Sequence, residues 1–171
     1  FADALKSGIE PLHVKGLSYI AKEPKLEYLQ LPSHEEVVND KHKFIDMFDL
    51  FYHNNDPISA KGLCQKVDSR YLIQNPPSLY LKTEELDAVS ALSFERDLHP
   101  YHQKDGKVKA LETIKFSIST HQGCYGECSF CAISVHQGRT IRSRSEESIL
   151  KEAKLFTTYK DFKGIISDIG G

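Results

Sequence analysis

Residues 114–139, IKFSISTHQGCYGECSFCAISVHQGR, decide how the rest of the chain is read. In the first positions Ile114, Phe116 and Ile118 alternate with Lys115, Ser117 and Ser119, the period-two pattern of a strand. Directly behind it, Cys124, Cys128 and Cys131 fall on one short loop with the spacing C-x3-C-x2-C. Gly123 and Gly126 let that backbone approach closely and take positive φ where a turn requires it. Downstream, Ser143 and Glu146 have the spacing of a helix capping box, and Ile149, Ala153 and Phe156 recur on one helical face. Ile165, Ile166 and Ile169 then form the β-branched run of a buried parallel strand over residues 164–169, followed by Gly170 and Gly171. Strand, cysteine loop, helix and strand make a βαβ unit, which implies parallel pairing and a right-handed crossover.

Three thiols within eight residues argue for a metal site, whereas a secreted disulfide framework would spread its cysteines in pairs. The fourth, Cys64, stands alone in AKGLCQKV and reads as a buried small hydrophobe. Two centres stay open on ligand chemistry. A [4Fe–4S] cube held by three cysteines leaves one iron free to bind a small molecule. A closed Cys3His zinc site would draw its fourth ligand from His121 or His136 and stabilise a binding module for RNA or protein. Zinc motifs usually divide their cysteines between two knuckles, and here all three share one loop, which favours iron–sulfur. Arg139, Arg142 and Arg144 could grip an anionic group of a cofactor or substrate, or form a solvated face ahead of the next helix.

Toward the N-terminus the signals are those of a mixed α/β region. Val14–Ile20 reads as a strand, and Ser33 with Glu36 forms a capping box. Val37, Lys41, Phe44, Phe48 and Phe51 then predict one amphipathic helix from residue 34 to about 53, ended by Asn54-Asn-Asp-Pro57. Pro76 and Pro77 force an extended connector, Thr83 is placed to cap a helix over 84–92, and Asp97–Gly106 reads as a loop.

The 171 residues carry 22 Lys+Arg against 24 Asp+Glu, a net charge of −2, with 40% hydrophobic and 27% charged residues. That balance predicts a soluble, cytoplasmic protein with a core that needs no disulfide staples. No apolar run of about 18 residues predicts a membrane span, and the charge gives no indication of nucleic-acid binding. The chain starts at Phe1 rather than Met and stops where a strand meets a glycine pair, so it reads as part of a longer protein. A partial parallel sheet exposes open edges, which predicts self-association of such a piece unless the rest of the protein covers them.

C-x3-C-x2-C with an aromatic, Phe130, just before the last cysteine resembles the signature of radical SAM enzymes. HQGCYGECSFCAISVHQGR, the later SDIGG, and the upstream DSRYLIQNPP and IKFSIST are similar to the YgiQ-type radical SAM proteins, a likeness running from about Gly16 to Gly171. The resemblance implies a family-specific N-terminal region and connector over residues 1–112. Residues 113–171 would be the first βαβ unit of a partial (β/α) barrel. It implies that Cys124, Cys128 and Cys131 each ligate one iron of a [4Fe–4S] cluster, and that the fourth iron chelates S-adenosylmethionine. Reduction would then release methionine and a 5′-deoxyadenosyl radical, which abstracts hydrogen from a substrate the sequence does not name. Phe130 would lie beside the adenine, and the backbone at Gly170 and Gly171 would approach the methionine amino group. An electron donor such as a flavodoxin or ferredoxin is implied as a partner. This piece alone is expected to be inactive.

Overall fold

The structure is a computed structural model and describes residues 2–171. These form two compact units, one ending at Tyr80 and one of Leu81–Gly171.

The first unit is built on a four-stranded sheet in the order β1-β4-β3-β2, from β1 (Ser18–Ala21), β2 (Leu29–Leu31), β3 (Leu63–Val67) and β4 (Arg70–Gln74). Only β2 and β3 run parallel, and the two helices between them make that connection. Cys64 on β3 faces Ile73 on β4, and the two are 1% and 0% exposed, so Cys64 is the buried hydrophobe its setting predicts. The β3–β4 hairpin itself is not anticipated by the sequence pattern. Its two-residue turn is Asp68-Ser69, with Asp68 at φ 54°, a left-handed conformation that a short polar side chain tolerates. The strand expected over Val14–Ile20 is displaced C-terminally to β1. Residues before it are instead held by Asn75, whose buried amide donates to the carbonyls of Leu12 (2.7 Å) and Val14 (2.9 Å).

The capping box is present: Ser33 Oγ accepts from the Glu36 amide at 3.2 Å, and the Glu36 carboxylate accepts from the Ser33 amide at 2.8 Å. The expected single helix is two. Helix α1 (Ala2–Lys6) precedes the sheet, and α2 (His34–Asn39) stops at Asp40, whose backbone is extended at φ −135° and ψ 117°. The Asp40 carboxylate accepts from the His42 amide at 2.8 Å and starts α3 (Lys41–His53) afresh.

In the second unit, α4 (Thr83–Ser90) is capped by Lys82 rather than Thr83, and a 3-10 helix (Pro100–Asp105) occupies the expected loop. Residues Lys109–Ile114 form α5, so the strand predicted from Ile114 onward is reduced to β5 (Ser117–Ser119). Ala110, Leu111 and Glu112 are strong helix formers, and the alternation of Ile114 with Phe116 spans the helix end instead of a strand. Next come β6 (His121–Gln122), α6 (Ile133–Gln137), β7 (Arg142–Ser143), α7 (Glu146–Phe156) and β8 (Asp168–Gly170). β5 and β8 pair in parallel with Ile118 opposite Ile169, and α7 lies between them in sequence. The cap of α7 is Ser145, whose Oγ accepts from the Ser148 amide at 3.1 Å; Ser143 belongs to β7. Phe156 of α7 is fully buried against Phe116 and Phe162, with ring centroids 5.4 and 6.0 Å away. The terminal strand is shorter than residues 164–169 and is not buried, since Ile165 and Ile169 are 70% and 59% exposed.

Candidate metal centre

The cysteines lie on a loop that leaves β5 and is pinched shut at its neck. β6 and β7 pair antiparallel there, His121 opposite Ser143 and Gln122 opposite Arg142. Below them the Arg144 amide donates to the Thr120 carbonyl at 2.9 Å, and above them the Cys124 amide donates to the Gly138 carbonyl at 3.0 Å. The Gly123 amide donates to Gln137 Oε1 at 3.1 Å. Gly123 has φ +86°, and a Cβ there would stand 2.3 Å from the Thr140 carbonyl oxygen, so no other residue fits the neck.

Within the loop, Cys124, Cys128 and Cys131 are all free thiols; Cys124 and Cys131 are half-buried and Cys128 is exposed. The Cys131 amide donates to the Cys128 carbonyl at 2.9 Å, which folds that end into a turn. Gly126 serves by its size rather than by positive φ, which falls instead on Glu127 at 45°. A Cβ on Gly126 would lie 3.4 Å from Cys124 Sγ and 3.7 Å from Cys128 Sγ, so these two sulfurs converge on the space the glycine leaves. The Gly126 amide also donates to Cys124 Sγ at 3.4 Å, the class of hydrogen bond that tunes thiolates in iron–sulfur sites. Among the described residues no three His, Cys, Asp or Glu side chains close on the position of one metal ion. In a [4Fe–4S] cube each thiolate would bind a different iron, so its three cysteines need not converge on one point.

Phe130 is 91% exposed and Tyr125 is 77% exposed, so neither is a packing anchor of the loop. Gly170 pairs with Ser119, and its carbonyl accepts from the Thr120 amide at 2.7 Å. A Cβ on Gly171 would stand 2.5 Å from the His121 carbonyl oxygen and 2.9 Å from its ring, so close approach to His121 requires glycine there. His121 Nδ1 is engaged with Thr120 Oγ1 at 2.9 Å, and His136 sits on α6.

The three arginines separate. Arg139 pairs with Glu127 inside the loop. Arg144 is neither solvated nor free to take a ligand: its side chain is 6% exposed and bonds Glu152 Oε2 at 2.5 Å, the Ser119 carbonyl at 2.9 Å and Ser148 Oγ at 2.9 Å. Gln137, Gly138 and Thr140, which shape the neck, carry no chemistry that sequence reading could single out.

A sequence profile of the Radical SAM N-terminal family matches residues 1–117. The chain belongs to the Radical SAM N-terminal family. The profile match stops ahead of the cysteine loop, but similarity to other proteins continues through it. The chain is 56% identical over 170 residues to a UPF0313 protein of Fusobacterium nucleatum, covering 99% of this chain and 30% of that protein. It is 46% identical over 161 residues to a UPF0313 protein of Clostridium botulinum, covering 93% of this chain and 25% of the other. A UPF0313 protein of Clostridium perfringens is 44% identical over 176 residues, with 99% of this chain and 27% of that protein covered. The chain thus spans about a quarter to a third of these relatives' lengths. No solved structure matches it. No helix among the described residues is long and apolar enough to cross a membrane.

Proposed function

We propose that this chain carries the cluster loop of a radical SAM enzyme of the UPF0313 type, acting in the cytoplasm on a substrate that remains to be found. The observation that supports this most is the placement of three free thiols at C-x3-C-x2-C on a loop that follows a strand of a parallel pair, in a chain of the Radical SAM N-terminal family. Cys124, Cys128 and Cys131 would hold a [4Fe–4S] cluster. The chemistry such a centre supplies is one-electron cleavage of the S-adenosylmethionine sulfonium, which yields methionine and a 5′-deoxyadenosyl radical.

The chain's own residues position and shield. Gly126 leaves room beside two of the sulfurs, and its amide donates to one of them. Phe130, exposed beside Cys131, offers a flat apolar surface suited to an adenine ring. Gly170 and Gly171 lie at the end of β8, next to the strand that delivers the cysteines, where a bare backbone can approach an amino-acid moiety. β5, α7 and β8 would be the opening unit of a partial (β/α) barrel covering residues 113–171, with residues 1–112 as the family-specific region and connector. A flavodoxin or ferredoxin would supply the electron.

A zinc-held Cys3His module has less support, because all three thiols share one short loop instead of dividing between two knuckles. In the full-length protein, Cys131→Ala is expected to abolish the brown chromophore formed on anaerobic reconstitution. His121→Ala and His136→Ala are expected to retain it. Loss of metal in the histidine variants, with zinc bound to the wild type, would overturn the proposal.

A further inference from the structure

We infer that α4 and the segment after it brace the base of the cysteine loop, making Thr83, Asp87 and Arg96 positioning residues for the cluster; the cluster part rests on the function proposed above. The loop's exit strand, β7, is two residues long and pairs with β6. Side chains from upstream add further ties, Thr83 and Asp87 at the exit and Arg96 through Glu152. Thr83 Oγ1 donates to the Ser143 carbonyl at 3.1 Å, on the strand that closes the neck. The Asp87 carboxylate accepts from the Ser145 amide at 3.0 Å, one residue beyond Arg144. Its pKa lies below the ordinary value, chiefly through hydrogen bonding to Ser145, with the Arg144 charge as a lesser cause.

Arg96 completes the brace from the other side. It pairs with Glu152 Oε1 while Arg144 pairs with Glu152 Oε2, so one carboxylate on α7 joins the two guanidiniums. The Arg96 guanidinium lies over the Phe156 ring at 4.7 Å, and Arg144 reaches the Ser119 carbonyl on β5. Both ends of the loop, entry at Ser119–Thr120 and exit at Ser143–Ser145, are therefore tied to one polar network. Thr83, Asp87 and Arg96 all fall within the part matched by the family profile, and the cysteines fall outside it. The upstream region thus acts on the loop that carries the metal ligands without contributing a ligand.

The test uses the full-length protein with Thr83→Val combined with Asp87→Ala, which removes one exposed and one half-buried hydrogen bond without touching a fully buried side chain. Amide hydrogen exchange of the metal-free protein is expected to quicken at least several-fold at Gly123, Cys124 and Arg144, whose amides close the neck, and to stay unchanged in β3 and β4. Loss of iron from the reconstituted protein to a chelator is expected to accelerate similarly. Asp87→Asn, which keeps an acceptor oxygen, is expected to restore both rates. As a control, Lys115→Met, which disrupts the pairs with Asp97 and Asp161 before β5, is expected to lower thermal stability without moving the neck amides. Unchanged exchange at the neck in the double variant would overturn the brace. A wild-type protein that takes up no iron and sulfide would overturn the proposed function instead, and the exchange rates would still decide the brace.

Discussion

Arg144 and Glu152 show how a charged pair is kept inside a small core. Their side chains are 6% and 10% exposed, and each has several partners, so neither charge is left unsatisfied when water is removed. Breaking such a pair from one side costs about 3–5 kcal/mol when the remaining charge is left buried without a partner; Glu152 keeps Arg96, which places the loss at the lower end. Arg144→Met is accordingly expected to lower unfolding free energy by about 3 kcal/mol in denaturant titration; a change under about 0.5 kcal/mol, the usual range for surface substitutions, would contradict the burial described. Ser33→Ala, which removes an exposed cap, is expected to cost about 1 kcal/mol. The Ser33 cap is legible in the sequence because a cap and its partner lie three residues apart. The burial of Arg144 is not, because it depends on Glu152 eight residues on and on Arg96, far upstream. Local chemistry is legible in a string of residues, and a tertiary ion pair is not.

At the scale of elements, the same division holds. A parallel strand pair with a helix between was legible from the hydrophobic period, and β5 and β8 pair so, though both strands are shorter than expected and Ser145 rather than Ser143 caps α7. The β3–β4 hairpin was not, since Asp68-Ser69 lacks the Asn-Gly or Asp-Gly signal by which two-residue turns are usually recognised. The break in the long helix is hidden in the sequence because the apolar period runs on through Asp40, while its carboxylate competes for the backbone and restarts the helix. Asp40→Ala is expected to raise the helical signal in circular dichroism slightly if α2 and α3 then merge. An unchanged or lower signal would show that packing, not the cap, sets the break.

The approach to β5 also carries a pH dependence. Lys115 bonds Asp161 at 2.7 Å and lies 3.7 Å from Asp97. Hydrogen bonding to Asp161, and then its charge, raises the Lys115 pKa above 10.5, and the bond to Lys115 lowers that of Asp161 below 3.8. A lowered carboxylate pKa gives stability that is present above the ordinary value and is lost as pH falls through the shifted one; a raised lysine pKa gives stability that is lost as pH rises through its shifted value. The thermal difference between wild type and Lys115→Met is therefore expected to be flat from about pH 5 to 9 and to shrink beyond either end. The carboxylates are more than half exposed, so high salt is expected to reduce it as well. A difference that grows under acid would contradict the assignment.

Over the whole molecule, the Radical SAM N-terminal match covers the sheet-based unit and the first part of the second unit, which goes on to bear the cysteine loop. β5 and β8 form a two-stranded sheet with open edges, and Ile165 and Ile169 beside it are exposed. The cysteine spacing was the most legible part of the site, because ligation depends on residue type and short separation. The pinning of the neck was not, because it uses backbone groups of Gly138 and Thr120 that any sequence carries. The central claim is that the loop holds an iron–sulfur cube, and iron and acid-labile sulfide content of the anaerobically reconstituted full-length protein tests it most directly. The account predicts iron and sulfide in equal amounts, about four of each per chain as a cube requires, and none in Cys131→Ala. Stoichiometric zinc without sulfide would contradict it.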